Sequence, residues 1–236
     1  MSDEKKEYPR PSLTADIVVL ALDAEAALRV LVIRRGGPPF QGCWALPGGF
    51  CEPGETVMQA AARELTEETE LRDVRMEELR SFTTPGRDPR GWVVSVAHLA
   101  LLPSARQREA RAGDDASETA WLRLRIGKTG DFQLEHEGAP VALSTLAFDH
   151  REVLAVAVER QRERVDTLAF ALLVSPFTLN EARLSFEAIL GARLDAEAFP
   201  RLLLEQGWVR EVARIEGAGA SAARYQMEPH TRRWPW

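Results

Sequence analysis

Two β-branched runs, ADIVVLAL at 15–22 and LRVLVIRR at 28–35, flank a short polar-and-alanine segment, a pattern that predicts a β-hairpin. GGPPFQG at 36–42 must be a loop, because glycine and paired prolines cannot continue a ladder. CWALPGGF then reads as a short strand entering a turn, and a helix is predicted from about Thr56 to Thr69. MEELRSFTT (76–84), GWVVSVAHLALL (91–102) and TAWLRL (119–124) are further strands, with the polar stretch 103–118 as a loop between the last two. Residues 127–145 mix glycine and polarity in a way that specifies no element, and the first ten residues read as an arm. Strands gathered around one early helix predict an α/β fold, a mixed sandwich rather than a doubly wound sheet.

The pattern changes near residue 147. FDHREVLAVAVERQRERVD (148–166) places Val153, Leu154, Ala157 and Val158 at helical spacing among charges. SPFTLNEARLSFEAIL gives a second helix, opened by a Thr178/Glu181 capping box and ended by Gly191. LDAEAFPRLLLEQGW gives a third, with Asp195 as its cap, and WVREVARIE and ARYQME pair across GAGASA as a ribbon. Three helices and a ribbon outline an α+β winged helix-turn-helix. The expected organisation is a first domain over 13–146, then a linker helix and winged-helix domain over 147–236.

Composition narrows the class. A chain of 236 residues that is 45% hydrophobic and 28% charged suits a soluble protein with one large or two modest cores. The net charge of −6 argues against a generally basic, nucleic-acid-coating surface. Two cysteines make no disulfide framework, and no signal-peptide or membrane-spanning run is visible, so the expected compartment is the cytoplasm with no membrane partner.

The chemistry concentrates in GGFCEPGETVMQAAARELTEETEL, residues 48–71, where Glu64, Glu67, Glu68 and Glu70 follow a glycine-rich loop. At about 100° per residue, Glu64 and Glu68 sit roughly 40° apart and share a sector with Val57 and Ala61. Carboxylates at the rim of a packed face repel one another unless a cation neutralises them. Hard oxygen ligands suit Mg²⁺, which bridges carboxylates to substrate phosphates.

Gly49, five residues, Glu55, seven residues, then Arg63-Glu64-Leu65-Thr66-Glu67-Glu68 resembles the Nudix box, and ALPGGF just upstream also looks like this family. The resemblance covers about residues 13–146 and implies an α/β/α sandwich that cleaves a nucleoside diphosphate derivative with water and Mg²⁺ or Mn²⁺. It implies Glu64, Glu67, Glu68 and the Gly48 carbonyl as metal ligands, and a Glu55–Arg63 pair that orients loop against helix. The pattern departs at Glu70, where the family has glycine; a glutamate forced left-handed there costs on the order of 1 kcal/mol.

FTTPGRDPRGWVVSVAHLALL and AGDDASETAW resemble ADP-ribose-type members. Arg87 and Arg90, with Arg34 and Arg35, are candidate diphosphate ligands. Phe40 and Trp44 are candidate base-stacking residues, although each is more often core. Asp114, Asp115 and Glu118 are candidates for the water-activating residue, with Asp115 the foremost.

The second half resembles Nudix-related transcriptional regulators of NAD metabolism. Two functions therefore compete: ADP-ribose hydrolysis to AMP and ribose 5-phosphate, and ADP-ribose-responsive DNA binding. All acidic box positions are kept, which favours catalysis. From Thr167 onward eight arginines are balanced by eight acidic residues, and the recognition helix opens on Asp195 and Glu197. DNA is a possible partner that this charge does not favour. Family habit implies a homodimer.

Overall fold

The computed structural model describes residues 8–111, 116–217 and 220–229. A seven-strand path, β5 (Met76–Phe82), β6 (Val93–Leu102), β1 (Ser12–Leu22), β2 (Leu28–Arg35), β7 (Ala116–Ile126), β8 (Phe132–His136) and β9 (Ala139–Val141), forms the main sheet. β1 and β6 run parallel from Ser12↔Val93 to Ala21↔Leu102, and the other neighbours on the path are antiparallel. The expected hairpin is present, but its strands pair only at the closed end, Leu20↔Val30 to Leu22↔Leu28. Towards the other end β1 and β2 splay, and two short strands fill the wedge. β3 (Trp44–Ala45) pairs with Ile33 and Arg34 of β2, and β4 (Gly48–Phe50) pairs with Thr14 to Asp16 of β1. This wedge presents the glycine loop.

Alternation along β1 sends side chains to two layers, because successive strand residues face opposite ways. Ala15, Ile17, Val19 and Ala21 pack with Ala60, Ala61 and Leu65 of α1 (Val57–Thr69). Val18, Leu20 and Leu22 join a larger cluster on the opposite face, with Val153, Leu154 and Val158 of α2 (His150–Glu163). Helices on both faces make the α/β/α sandwich. Strands β8 and β9 occupy the stretch that the sequence leaves unspecified.

The second half has one helix more than expected. α3 (Val165–Ala171) follows α2 directly, then α4 (Leu179–Leu190) and α5 (Ala198–Glu205) precede the ribbon of β10 (Val209–Gly217) and β11 (Ala220–Met227). The first winged-helix helix is therefore α3, and α2 is the connector. α4 carries the Thr178/Glu181 capping box and ends at Gly191 in the left-handed region, φ 65°. A Cβ on Gly191 would come within 2.2 Å of the Ile126 carbonyl, so glycine lets α4 dock on β7. Asp195 accepts from the Glu197 and Ala198 amides, one turn before α5. Phe186 of α4, Phe199 of α5 and Trp208 lie in the same apolar cluster as β1 and β2, so one core spans the sheet and the winged helix.

Candidate active site

Two glycines bring the loop backbone against α1. Gly48 has φ 151°, and a Cβ there would stand 2.2 Å from the Ala15 carbonyl. A Cβ on Gly49 would stand 2.2 Å from Glu64 Oε1, so the loop lies flush with that carboxylate. The helix starts at a Thr56/Gln59 capping box and ends with Glu70 at φ 60°, ψ 1°, its amide donating to the Thr66 carbonyl.

Arg63 organises the acidic group. Its Nη2 donates to Glu55 Oε1 (2.7 Å) and to the Phe50 carbonyl (2.9 Å), and its Nε to Glu55 Oε2 (3.3 Å). Nη1 donates to both Glu64 Oε1 (2.8 Å) and Glu67 Oε2 (3.1 Å). These hydrogen bonds, that to Glu55 foremost, hold the Arg63 pKa above arginine's ordinary value. The same pairing holds Glu55 below the carboxylate range. Glu68 points elsewhere: it is buried and accepts from the Gly48 amide at 2.8 Å.

The expected trio of converging carboxylates thus stands divided. Glu64 and Glu67 meet at one guanidinium nitrogen while Glu68 holds the loop, and no group of three metal-ligating side chains is preassembled among the described residues. The donor chemistry nevertheless fits a hard divalent ion: three carboxylates of one helix beside a backbone that approaches Glu64 as only glycine allows.

Beside the loop is a cleft of about 40 Å³ that reaches Thr14, Arg35, Gly48, Gly49, Arg90 and Phe148. This volume admits a small group, not a whole dinucleotide. Arg35 and Arg90 lie over the ring of Phe148, at 4.9 and 5.2 Å from its centroid. Burial, then the Arg90 charge, lowers the Arg35 pKa, and Arg35 makes no ion pair within 4 Å among the described residues. Its Nε donates to the Pro39 carbonyl at 2.7 Å. Arg90 also pairs with Asp88 at 2.7 Å. Thr14 is buried, and its hydroxyl has no hydrogen-bond partner among the described residues.

Asp16, Arg87 and His150, which also line the cleft, belong to a buried network that sequence reasoning missed. Arg87 donates to Asp149 through Nη2 (2.6 Å) and Nε (2.9 Å), and to Asp16 Oδ2 at 3.1 Å. Burial alone would lower the Arg87 pKa, but Asp149 and Asp16 outweigh it and raise it. Ser95 donates to Asp16 Oδ2 at 2.5 Å, and His150 Nε2 lies 3.6 Å from Asp16 Oδ1. Burial pushes the Asp16 carboxyl up, yet His150, Ser95 and Arg87 prevail and hold it at about 2.

The other expected ligand residues divide. Arg35 and Arg90 line the cleft, and the half-exposed Phe40 stands against Phe148, its ring meeting that one edge-on at 4.9 Å. Arg87 also reaches it, with its side chain 4% exposed and held by Asp149 and Asp16. Trp44 is core rather than a stacking platform: it is buried, with His136 against its edge and Arg34 over its ring. Arg34 pairs with Glu118 at 2.9 Å and donates to the Gly42 carbonyl at 3.2 Å. Asp114 and Asp115 lie outside the described residues. A larger groove of about 390 Å³ between β7 and α4 is lined by no box residue.

Comparison with known proteins finds relatives for both halves of the chain. The NUDIX domain matches residues 12–137, and the NrtR DNA-binding winged helix domain matches residues 169–227. The ADPR responsive transcriptional repressor NtrR of Acinetobacter baylyi is 31% identical over 98% of this chain and 89% of its own length. The ADP-ribose pyrophosphatase of Methanocaldococcus jannaschii is 36% identical over 62% of this chain and 73% of its own. Among solved structures, a MutT/nudix family protein from Enterococcus faecalis superposes with a TM-score of 0.81 and 35% identity, covering 96% of this chain and 90% of that one. Shewanella oneidensis NrtR complexed with a 27mer DNA superposes with a TM-score of 0.64 and 26% identity, covering 92% and 93%. A Nudix sheet with its box on α1, followed by an NrtR-type winged helix, places the chain in the Nudix family.

Proposed function

We propose that the chain hydrolyses a nucleoside diphosphate derivative, ADP-ribose foremost, to AMP and ribose 5-phosphate. The observation that carries this reading is the meeting of Glu64 and Glu67 at Arg63 Nη1, beside a glycine backbone flush with Glu64 and a cleft walled by two arginines. Glu64, Glu67, Glu68 and the Gly48 carbonyl would hold Mg²⁺ or Mn²⁺. Such an ion neutralises charge on the phosphoanhydride and acidifies water. Arg35, with no ion pair within 4 Å among the described residues, and Arg90, shared with Asp88, hold the anionic diphosphate beside the Phe148 ring. Arg63, fixed by Glu55, keeps α1 and the loop in register. Water forms the new bond to phosphorus as the P–O–P bridge breaks. Its proton goes to a carboxylate, Glu67 being the box member most open to solvent and Asp115 the candidate from the later loop. The test is to incubate the full chain with ADP-ribose and Mg²⁺ and measure AMP; no AMP at any metal concentration removes the reading.

A second reading, an ADP-ribose-responsive repressor, is favoured by the comparisons: residues 169–227 match the NrtR DNA-binding winged helix, and the likeness to the Acinetobacter repressor and to DNA-bound Shewanella NrtR runs through it. The charges oppose it. Arg183, Arg193, Arg201, Arg210, Arg214 and Arg224 all pair with acidic side chains, leaving the described face of this domain locally neutralised. Arg232 and Arg233 lie outside the described residues. A gel shift on the neighbouring promoter DNA, relieved by ADP-ribose, would place regulation ahead of catalysis.

A further inference from the structure

The strap at 146–150, just before and at the start of α2, lies beyond the end of the NUDIX match at 137, yet it holds the loop that carries Gly48. Leu146 bridges to Trp44, and the Ala147 amide donates to the Trp44 carbonyl at 2.8 Å. The Leu46 amide donates to His150 Nδ1, also at 2.8 Å. Two residues on, the Gly48 amide donates to Glu68, and between them the Pro47 carbonyl accepts from Ile17. The loop is therefore pinned at three successive residues, and the first pin comes from α2. Because Nδ1 accepts, the ring proton sits on Nε2, which faces Asp16 Oδ1. Asp149 fixes the neighbouring turn through Arg87.

We infer that His150 is a positioning residue for the candidate active site: by accepting from the Leu46 amide it sets the Leu46–Gly48 backbone against Glu68 and so the placement of the Gly48 carbonyl. The inference rests on the metal-dependent reading above. It makes the connector helix, not only the Nudix segment, a component of the site. The chemistry needs an acceptor at this point and no charge, so asparagine, whose Oδ1 can take the same amide, is the conservative replacement.

The test uses the full chain without substrate. In His150→Ala the Leu46 amide exchanges with deuterium faster, and Mn²⁺ binding by calorimetry weakens about tenfold, the scale of losing an outer-shell partner. His150→Asn restores both to within about threefold. A cooperative melt identifies folded variants; a merely structural histidine would lower the melting temperature without moving Mn²⁺ affinity. Should His150→Ala not fold, imidazole ¹⁵N shifts of the wild-type chain decide: the Nε2–H tautomer supports the assignment and the Nδ1–H tautomer overturns it. A folded alanine variant with unchanged Leu46 protection and Mn²⁺ affinity also overturns it. A wild-type chain that binds no Mn²⁺ counts against the metal reading instead, and Leu46 protection and the tautomer still decide the role of His150.

Discussion

Arg87 closes on both carboxylate oxygens of Asp149, at 2.6 and 2.9 Å, across the junction between the Nudix sheet and α2. Removing one partner of such a buried pair leaves a charge with too few ligands. Asp149→Ala should cost about 3 kcal/mol, somewhat relieved by Asp16, which keeps its own bond to Arg87. Denaturant midpoints of the variant and the parent chain measure this; a loss below about 1 kcal/mol would mean that water replaces Asp149.

Glu67→Gln and Glu68→Gln should each cut AMP formation by about a thousandfold, equivalent to about 4 kcal/mol of transition-state stabilisation. The fold should persist, because glutamine at 68 still accepts from the Gly48 amide. Initial rates with ADP-ribose and Mg²⁺, beside a thermal melt, separate the two effects.

Glu70 occupies the left-handed cap where the box pattern has glycine. Glu70→Gly should stabilise the chain by about 1 kcal/mol and raise the melting temperature by about 2–4 °C, with activity unchanged. A lower melting temperature would show that the glutamate side chain contributes more than its backbone strain costs.

Asp16 has a folded pKa of about 2 against an ordinary 3.8. A depressed folded value means the stabilisation is complete above the unfolded pKa and disappears as pH falls through the folded one. The network should therefore contribute about 2 kcal/mol above pH 4 that is lost between pH 4 and pH 2. In Asp16→Asn that part of the acid limb should flatten, which urea midpoints across the same range would report.

Much of this architecture was legible because its signals are local. The hairpin announced itself by two β-branched runs, α1 by a box with fixed offsets, and α4 by a Thr178/Glu181 cap with Gly191 behind it. α3 was not, since it begins at the residue after Arg164 with no glycine, proline or side-chain cap to mark a break. β8 and β9 were missed because they are short, and Leu134 is the one residue of the two that is fully buried. The Asp16 network left no spacing to read: its members come from β1, β6, the 83–92 loop and the start of α2, and only the fold brings them together. A lone aspartate inside ADIVVLAL was the available hint, as a carboxylate in a buried strand needs partners. Arg63 misled differently, since the box pattern does not reveal that one guanidinium joins three of its glutamates.

The unbroken apolar cluster from Val18 through Val158 to Phe186 and Trp208 limits how the two halves can move. Swinging the winged helix away as a rigid arm would wet that interior, and exposing even roughly 400 Å² of apolar surface costs about 10 kcal/mol, beyond the reach of most ligands. A relative motion that keeps this interior dry is a small shear of α2 and α4 over the sheet, not a hinge that parts the two halves.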